Sequence, residues 1–446
     1  MTQAPPSHLF YQSRQRRPRL ARAEGVYIWD VDGKRYLDGS SAAMVCNIGY
    51  SNPAVLDAMR RQMEISTFGY RLHFETEPGE KLAEKITSLA PDGLNRAFFV
   101  SGGSEAVESA IKLARQYKLA VGEAQRWKVI SRFPSYHGCT LGALALTGYA
   151  PLTAPFDAMM RPMPKIPAPR AYLDGLDLAD PETGHHYADM LEAQILAEGP
   201  QTVLAFVVEP IGGASTGCLM PPAGYMKRIR EICDAYDIVL IHDEVISGGG
   251  RAGTFFAADL WDVAPDITVL SKGFGAGYMP LGAVLAHDRI VDAVLDQGGF
   301  AHGFTYAGNP LACAAGLAVV EEIERQNLMR NATDMGQRLE TRLRALMNRF
   351  PVIGDVRGTG LLQGFELVSD RSTMAPLPKD MNAYDRLVDL AYDEGLIVYS
   401  RRTRGGLEGD HFLVAPPMIV TEPQIDEIID KLTTALDRFT QETGLA

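Results

Sequence analysis

A regular alternation of short apolar segments with amphipathic segments occupies residues 80–325 and constrains the fold more than any other feature. The intervening segments have a helical period; Met226, Ile229 and Cys233, for example, fall on one helical face. Such an alternation predicts βαβ units and a mainly parallel sheet covered by helices. The predicted strands lie at residues 96–100, 128–132, 202–208, 238–242, 267–270 and 282–286.

The flanking segments predict a second, mixed α/β unit. Residues 25–38 alternate apolar and polar side chains around Asp32-Gly33, which predicts a hairpin with a type I′ turn. Residues 150–186 are rich in proline, aspartate and glycine and predict a long surface excursion. Beyond Pro310 the sequence predicts a helical region to about Phe350, a strand at residues 361–367 and a final helix at 421–439, with Thr421 and Gln424 in capping-box spacing.

Charge and cysteine content narrow the class of partner. The chain has 446 residues and a formal net charge of −12, which disfavours nucleic acid and anionic membranes because both require a positive face. No long uncharged apolar run and no signal-peptide pattern is present. The five cysteines are scattered without a C-x-x-C pair, so no disulfide framework or metal site is expected. We expect a cytoplasmic protein that acts on small molecules.

Three predicted strands end in residues that can carry chemistry. The first runs into Ser101, Gly102, Gly103 and Ser104 before a helix, and glycines at a helix N-terminus can bind phosphate or serve only as a structural cap. The second ends in Asp243, a carboxylate that requires a cation, a metal ion or hydrogen-bond donors if it is buried.

The third strand leads to Lys272, which is followed by the glycines of the segment KGFGAG. A lysine at this place can extend into solvent or form a Schiff base with a carbonyl compound. A phosphate site, a buried carboxylate and such a lysine together match the phosphate, ring nitrogen and aldehyde of pyridoxal 5′-phosphate (PLP).

The sequence also resembles the class III, fold type I, PLP-dependent aminotransferases over nearly its whole length. The matching motifs are SGGSEAVESAIKLAR (101–115), SYHG (135–138), VEPIGG (208–213), HDEV (242–245), SKGFGAGYMPLGA (271–283), FTYAGNPLACAAGL (304–317), RGTGLLQGFEL (357–367) and APP (415–417). The resemblance implies an α/β fold in which helices sandwich a mainly parallel, seven-stranded sheet in a large domain. It places that domain at residues 71–325 and a small α/β domain at residues 1–70 and 326–446.

The same resemblance implies roles for individual residues. Lys272 would hold the cofactor as a Schiff base and move the substrate proton, and Asp243 would pair with the ring nitrogen. Tyr136 and Val245 would contact the two ring faces, although either could instead be an ordinary core residue. The remaining cofactor-binding residues would be Gly102, Gly103, Ser104, His137, Glu209 and, from the opposite subunit of a homodimer, Thr305.

Departures from family patterns favour one substrate class. The chain has Ala214 where 4-aminobutyrate enzymes carry a second glutamate, and it lacks an arginine just before A-P-P. The resemblance implies a carboxylate-binding arginine shortly before the Gly409-Asp-His411 segment, and Arg404 is the candidate, although its spacing is unusual. Arg401 and Arg402 are alternatives, and the three could instead form a solvated loop cluster. Tyr136 and Met44 are predicted to line the substrate pocket.

We therefore expect an ω-type aminotransferase that passes an amino group from an amine or ω-amino acid to pyruvate or a similar keto acid. The alternatives are a 4-aminobutyrate-type enzyme that uses 2-oxoglutarate and a catalytically silent protein that only binds PLP.

Overall fold

A seven-stranded sheet forms the centre of the computed structural model, which describes residues 7–445. Five adjacent strands of this sheet are parallel, and the strand Gly282–Ala286 is antiparallel to both of its neighbours. The predicted mainly parallel sheet is confirmed. In spatial order its strands are Arg96–Val100, Gly282–Ala286, Ile267–Leu270, Val239–Asp243, Val203–Val208, Lys128–Phe133 and Lys165–Pro167.

Helices cover both faces of this sheet, which explains why its strands are continuously apolar. All six residues of Val203–Val208 are buried, and successive side chains enter different cores: Val207 packs on one face and Phe206 on the other. Strands covered on both faces require such apolar runs. The helices around the sheet are Gly103–Ala120, Leu141–Leu146, Ala150–Thr153, Ala171–Asp174, Pro181–Glu198, Tyr225–Ala235 and Asp288–Asp296.

The predicted surface excursion at residues 150–186 is wrong in part. Lys165–Pro167 extends the sheet as a parallel edge strand beside Lys128–Phe133. The three-residue strand contains two residues of low strand propensity, Lys165 and Pro167, and it is stabilised by its partner rather than by its own sequence. The same excursion contributes Leu152 and Phe156 to the cavity described below.

The predicted hairpin is present, but its turn is of another type. Tyr27–Asp30 and Arg35–Asp38 pair antiparallel, and the Gly33 N–H donates to the Asp30 carbonyl over 3.1 Å. A type I′ turn needs positive φ at both central residues, whereas Gly33 is the only residue between these two strands with a positive φ, at 84°. The type I′ prediction is wrong, and Gly33 instead follows the turn in the left-handed conformation.

The two ends of the chain share one sheet. Leu396 pairs with Leu37 in parallel, which adds the strand Leu396–Ile397 to the hairpin and to Leu20–Glu24. A further sheet comprises Ile353–Thr359, Leu362–Asp370, Ala375–Pro376, Tyr399–Arg401 and Asp410–Val414. The domain boundaries at 70/71 and 325/326 stay a prediction, and residues 1–6 and 446 lie outside the described part.

Helices complete this second unit, and its core is continuous with that of the large sheet. The predicted helical region after Pro310 is two helices that break at Gln326 and Asn327. The final helix has the expected capping box, with the Thr421 N–H donating to Gln424 Oε1 over 3.0 Å. The α-helices of the described chain not given above are Ser41–Met44, Pro53–Ile65, Glu77–Thr87, Pro310–Arg325, Leu328–Arg349, Ala383–Asp393 and Glu422–Thr443.

Candidate active site

Lys272 lies in a tight turn directly after the strand Ile267–Leu270, with a left-handed φ of 44°. The turn is held by Asn47, whose amide packs so closely on Gly273 that a Cβ there would overlap it. Burial lowers the pKa of the Lys272 amine to about 8, although the negative charges of Asp243 and Glu209 oppose that effect. About a tenth of an amine with this pKa is unprotonated at pH 7, far more than for an ordinary lysine, and nucleophilic and basic lysines require such an unprotonated population.

The fully buried Arg251 fixes Asn47 in turn. Its guanidinium donates to Asn47 Oδ1 over 2.6 Å and to the carbonyls of Leu361, Ala415 and Pro416 over 2.8–3.1 Å. These acceptors belong to the segments that precede and follow the large sheet in sequence. The turn that carries Lys272 is therefore tied to the second unit of the fold.

Asp243 ends the neighbouring strand and is 5% exposed. Its Oδ2 atom lies 2.8 Å from His137 Nδ1, and its Oδ1 atom accepts the Val245 N–H over 3.1 Å. Among residues 7–445, no lysine or arginine lies within 4.0 Å of this carboxylate. A buried carboxylate without such a counterion is suited to bind a cationic ligand atom.

The helix Gly103–Ala120 points its N-terminus at the same edge of the sheet. A Cβ on Gly103 would lie 3.1 Å from both Val245 methyl groups, so glycine leaves room between the helix and Val245. Ser104 Oγ accepts the Cys139 N–H over 3.0 Å, which joins the helix to the loop that follows Gly138. A helix N-terminus with a hydroxyl and little side-chain bulk is a typical phosphate-binding arrangement.

Glu209 supports the opposite wall. It is 5% exposed and accepts backbone N–H groups from Tyr136 over 3.2 Å and from Gly213 over 2.9 Å. Burial raises the pKa of Glu209, and the nearby charge of Asp243 acts in the same direction. Glu209 thereby fixes the position of the main chain at Tyr136.

These groups surround a cavity of about 140 Å³. Its walls meet the requirements of PLP: a phosphate site at Gly103 and Ser104, a buried carboxylate at Asp243 for a protonated ring nitrogen, and the Lys272 amine for the aldehyde. Tyr136 and Val245 supply an aromatic and an aliphatic surface. The lining residues are Gly103, Ser104, Tyr136, His137, Gly138, Glu209, Ile211, Asp243, Val245, Ile246, Ser271 and Lys272.

A second cavity of about 350 Å³ opens from Lys272 towards the surface. The described residues that line it are largely aromatic and aliphatic, and Arg401 is the one arginine among them. This composition suits a small organic substrate with a single anionic group. The lining residues are Gln12, Tyr136, Gly138, Cys139, Leu144, Tyr149, Leu152, Phe156, Ala214, Ser215, Ile246, Lys272, Tyr399 and Arg401.

Several predicted site residues lie elsewhere. Gly102 precedes the helix in extended conformation and lines neither cavity. Met44 is buried in the apolar cluster that also contains Ile211, and Arg404 donates to the Met374 carbonyl over 2.6 Å, outside both cavities. Thr305 is exposed on a loop of the single chain, where it contacts neither cavity.

Sequence reasoning missed Tyr399 and the residues of the 150–186 segment as cavity walls, and it placed Arg401 second to Arg404. One available signal was the period of a strand, because Tyr399 and Arg401 are two apart and therefore share a face, whereas Arg402 points the other way. The contributions of Leu152 and Phe156 depend on how their segment folds over the sheet and had no local signal.

The sheet, the lysine turn and the helix that begins at Gly103 together define a PLP-dependent enzyme of fold type I. The family model for class-III aminotransferases matches residues 11–436. The chain belongs to this family and is a PLP-dependent aminotransferase.

Individual relatives have similar length. An uncharacterized aminotransferase of Schizosaccharomyces pombe is 38% identical, with 96% of this chain and 95% of the relative covered. The putrescine–pyruvate aminotransferase of Pseudomonas aeruginosa is 35% identical, with 97% and 94% covered. The crystal structure of a PLP-bound amine transaminase from an uncultivated Pseudomonas species superposes with a TM-score of 0.90 at 34% identity and covers 97% of this chain and 99% of its own.

The helices give no indication of a membrane span. Within residues 7–445, none combines the length and the apolar character needed to cross a bilayer.

Proposed function

We propose that this enzyme transfers an amino group from an amine or ω-amino acid to pyruvate or a similar small keto acid in a ping-pong cycle. The observation that carries the proposal is the charge of the larger cavity, whose described lining has one arginine beside Lys272. One fixed cation can neutralise one carboxylate. A monocarboxylic keto acid fits this count, whereas 2-oxoglutarate would leave a second carboxylate without a cationic partner.

Ala214 and three residues of a neighbouring strand support the same choice. Ala214 contributes a methyl group to the wall, and Phe412, Leu413 and Val414 are fully buried in the strand Asp410–Val414. None of them offers a charge to a second carboxylate. The 4-aminobutyrate-type alternative would need a further positive charge in the cavity. The described lining residues include two cationic side chains, Arg401 and Lys272, and no other.

The protein's own groups account for the proton movements. Lys272 Nζ, with a pKa near 8, takes a proton from the carbon that bears the substrate amine and would pass it, in the same half-reaction, to the cofactor carbon that receives the amine; the acceptor half-reaction runs this transfer in reverse. Asp243, oriented by His137, supplies the negative charge that would keep the cofactor ring nitrogen protonated. The bound cofactor supplies an aldehyde for the amine and a ring that accepts the electrons of the broken bond.

We further propose that two subunits form a homodimer in which Thr305 joins the phosphate site of the opposite subunit. Exposed apolar side chains beside Thr305 support this assembly: Tyr306 is 65% exposed, and Phe68, itself 40% exposed, packs its ring against Tyr306 at 5.7 Å. Exposed apolar surface of this kind is typical of subunit contacts. The five unpaired cysteines are consistent with the proposed cytoplasmic location.

The test is the acceptor half-reaction. The holoenzyme is first converted to its aminated form with an excess of donor, freed of donor, and then mixed with pyruvate or 2-oxoglutarate while the visible absorption of the cofactor is recorded. We expect pyruvate to restore the original spectrum at least tenfold faster at equal concentration, about the discrimination that one unpaired charge imposes.

Faster recovery with 2-oxoglutarate would replace the proposal by the 4-aminobutyrate-type alternative. A spectrum that no donor changes, in a protein that binds PLP normally, would indicate the silent binding protein. Lys272→Ala serves as the control, because without the amine neither half-reaction should proceed.

A further inference from the structure

A fully buried arginine, Arg132, lies behind the cofactor cavity. It follows Ile130 by two residues in the strand Lys128–Phe133, and Ile130 packs in the core on one face of the large sheet. Asp243 follows Ile241 by two residues, and Ile241 packs in the core on the other face. Because alternate side chains of a strand share a face, Arg132 leaves the sheet on the face opposite Asp243 and the cavity.

No acidic side chain pairs directly with this arginine. Its Nη2 atom donates to the main-chain carbonyl of Glu209 over 2.6 Å, and its Nε atom has no hydrogen-bond partner in the described chain. Within residues 7–445, no Asp or Glu oxygen lies within 4.0 Å of its guanidinium nitrogens. A buried cation without an ion pair is unfavourable unless negative charge near it offsets the cost of desolvation.

Two buried carboxylates at neighbouring strand ends carry that negative charge. Glu209 and Asp243 are each 5% exposed, and both line the cofactor cavity. Burial raises the pKa of Glu209, and the Asp243 charge acts in the same direction, whereas positive charges on His137 and Arg132 lower this pKa. Of these two cations, Arg132 is the permanent one, because His137 is charged only when it is protonated.

The ionised form of Glu209 holds two main-chain N–H groups of the cavity wall. Its Oε2 atom accepts the Tyr136 N–H over 3.2 Å, and its Oε1 atom accepts the Gly213 N–H over 2.9 Å. In the protonated acid one oxygen becomes a hydroxyl, which is a weaker acceptor, so at least one of these charge-assisted bonds would weaken. Tyr136 lines both cavities, and its main-chain position therefore depends on the charge of Glu209.

We propose that Arg132 is a positioning residue of the active site: from the far face of the sheet it keeps Glu209 ionised, and Glu209 in turn fixes Tyr136 in the cavity wall. Arg132 itself lines neither cavity. The inference uses only the cofactor site that both candidate reactions share. It is therefore independent of whether pyruvate or 2-oxoglutarate is the acceptor.

The affinity of the apoprotein for PLP tests this role. The holoenzyme is freed of PLP and titrated with it while the absorbance of the bound cofactor is recorded. We expect Arg132→Gln, which can still donate a hydrogen bond but carries no charge, to raise the Kd of PLP at least about tenfold at pH 7. Arg132→Lys restores the charge and should bring the Kd to within about threefold of the wild type.

Arg230→Gln is the matched control. Arg230 lies on the helix Tyr225–Ala235, which covers the same face of the sheet, but its guanidinium is paired with Asp234 over 2.7 Å and with Asp266 over 3.0 Å. Its charge is thus already offset, and its replacement should leave the Kd of PLP unchanged.

A double-mutant cycle with Glu209→Gln separates the charge of Arg132 from its main-chain hydrogen bond. Glu209→Gln removes the carboxylate but leaves the carbonyl that Arg132 contacts. Arg132→Gln should therefore change the Kd less than about threefold in the Glu209→Gln background. Hydrogen exchange of the apoprotein gives a second readout: the Tyr136 amide should exchange about tenfold faster in Arg132→Gln than in the wild type or in Arg230→Gln.

Equal loss of affinity in both backgrounds would overturn the proposal, because Arg132 would then act only through the main-chain carbonyl. An unchanged Kd in Arg132→Gln would also overturn it, as would an equal loss in Arg230→Gln. Should Arg132→Gln not fold, Arg132→Lys gives the same comparison on a smaller scale: a loss of about two- to threefold that disappears in the Glu209→Gln background, with equal losses again overturning the proposal.

All of these results concern binding of PLP by the apoprotein. Failure of the proposed function is decided separately, by pyruvate against 2-oxoglutarate in the acceptor step of the holoenzyme.

Discussion

The buried amine of Lys272 should make the cofactor-free protein less stable than a variant that lacks the charge. Its pKa of about 8, against the usual 10.5, means that the folded protein holds the proton less firmly than the unfolded chain does. At about 1.4 kcal/mol per pH unit, the difference corresponds to about 3 kcal/mol. Part of the Lys272 residue remains exposed to solvent, and solvent screens its charge. We therefore reduce the figure to about 2 kcal/mol.

The sign of the pH dependence follows from the lowered pKa. Below pH 8 the amine is protonated in both states, and the folded state bears the whole cost of burying the ammonium. As pH rises from 8 the folded protein loses the proton first, and the cost is gone above about 10.5. The stability difference between Lys272→Met and the wild type should therefore be positive at pH 7 and decline as pH increases.

The assay is thermal unfolding of both apoproteins, followed by circular dichroism in phosphate-free buffer at pH 7.0 and 9.5. For a chain of 446 residues, about 2 kcal/mol corresponds to a Tm difference of about 2 °C. Lys227→Met replaces an exposed lysine that has no burial to relieve, and it should leave Tm unchanged at both pH values.

A Lys272→Met apoprotein that melts below the wild type at pH 7.0 would refute the reasoning. So would a difference that is the same at both pH values, because it would show that packing and not charge distinguishes the two side chains.

Two further predictions concern the groups that flank Lys272. Asp243→Asn removes the negative charge that would pair with the ring nitrogen, and steady-state kinetics should give a kcat at least about 100-fold lower; a loss of less than tenfold would contradict the assigned role. Arg251→Met leaves several buried carbonyls without a donor and should lower the stability of the apoprotein by about 3–5 kcal/mol, measured as a Tm decrease of several degrees. Arg251→Lys should recover part of that loss, and an unchanged Tm in Arg251→Met would refute the structural role.

The central sheet was predictable because its strands are specified locally. The segments 96–100, 267–270 and 282–286 have the predicted bounds in the structure, and the other predicted strands shift by about one residue. Burial on both faces demands unbroken apolar runs, and these are visible without tertiary information. The short strand Lys165–Pro167 has no such run and forms only because a paired neighbour supplies its hydrogen bonds.

The cofactor cavity was predictable to a similar degree, since its central residues stand at strand ends and the carboxyl ends of parallel strands meet at one edge. The substrate-binding cavity was not predictable in this way. Whether Arg401 or Arg404 faces Lys272 depends on the pairing of Tyr399–Arg401 with Asp410–Val414 and on the distant carbonyl of Met374. Such long-range contacts leave no trace in the spacing from Gly409, on which the expectation for Arg404 was based.

The pairing of Leu37 with Leu396 has a consequence for synthesis of the chain. During translation the hairpin at residues 27–38 emerges first, but the strand that completes its sheet emerges only after the whole large sheet has left the ribosome. A contact between the two ends of a chain is slow to form because a very long loop must close. The nascent protein must therefore keep an unpaired strand edge at its N-terminal end for most of its synthesis, and the exposed edge is the place where chaperone binding or misassembly with another nascent chain would begin.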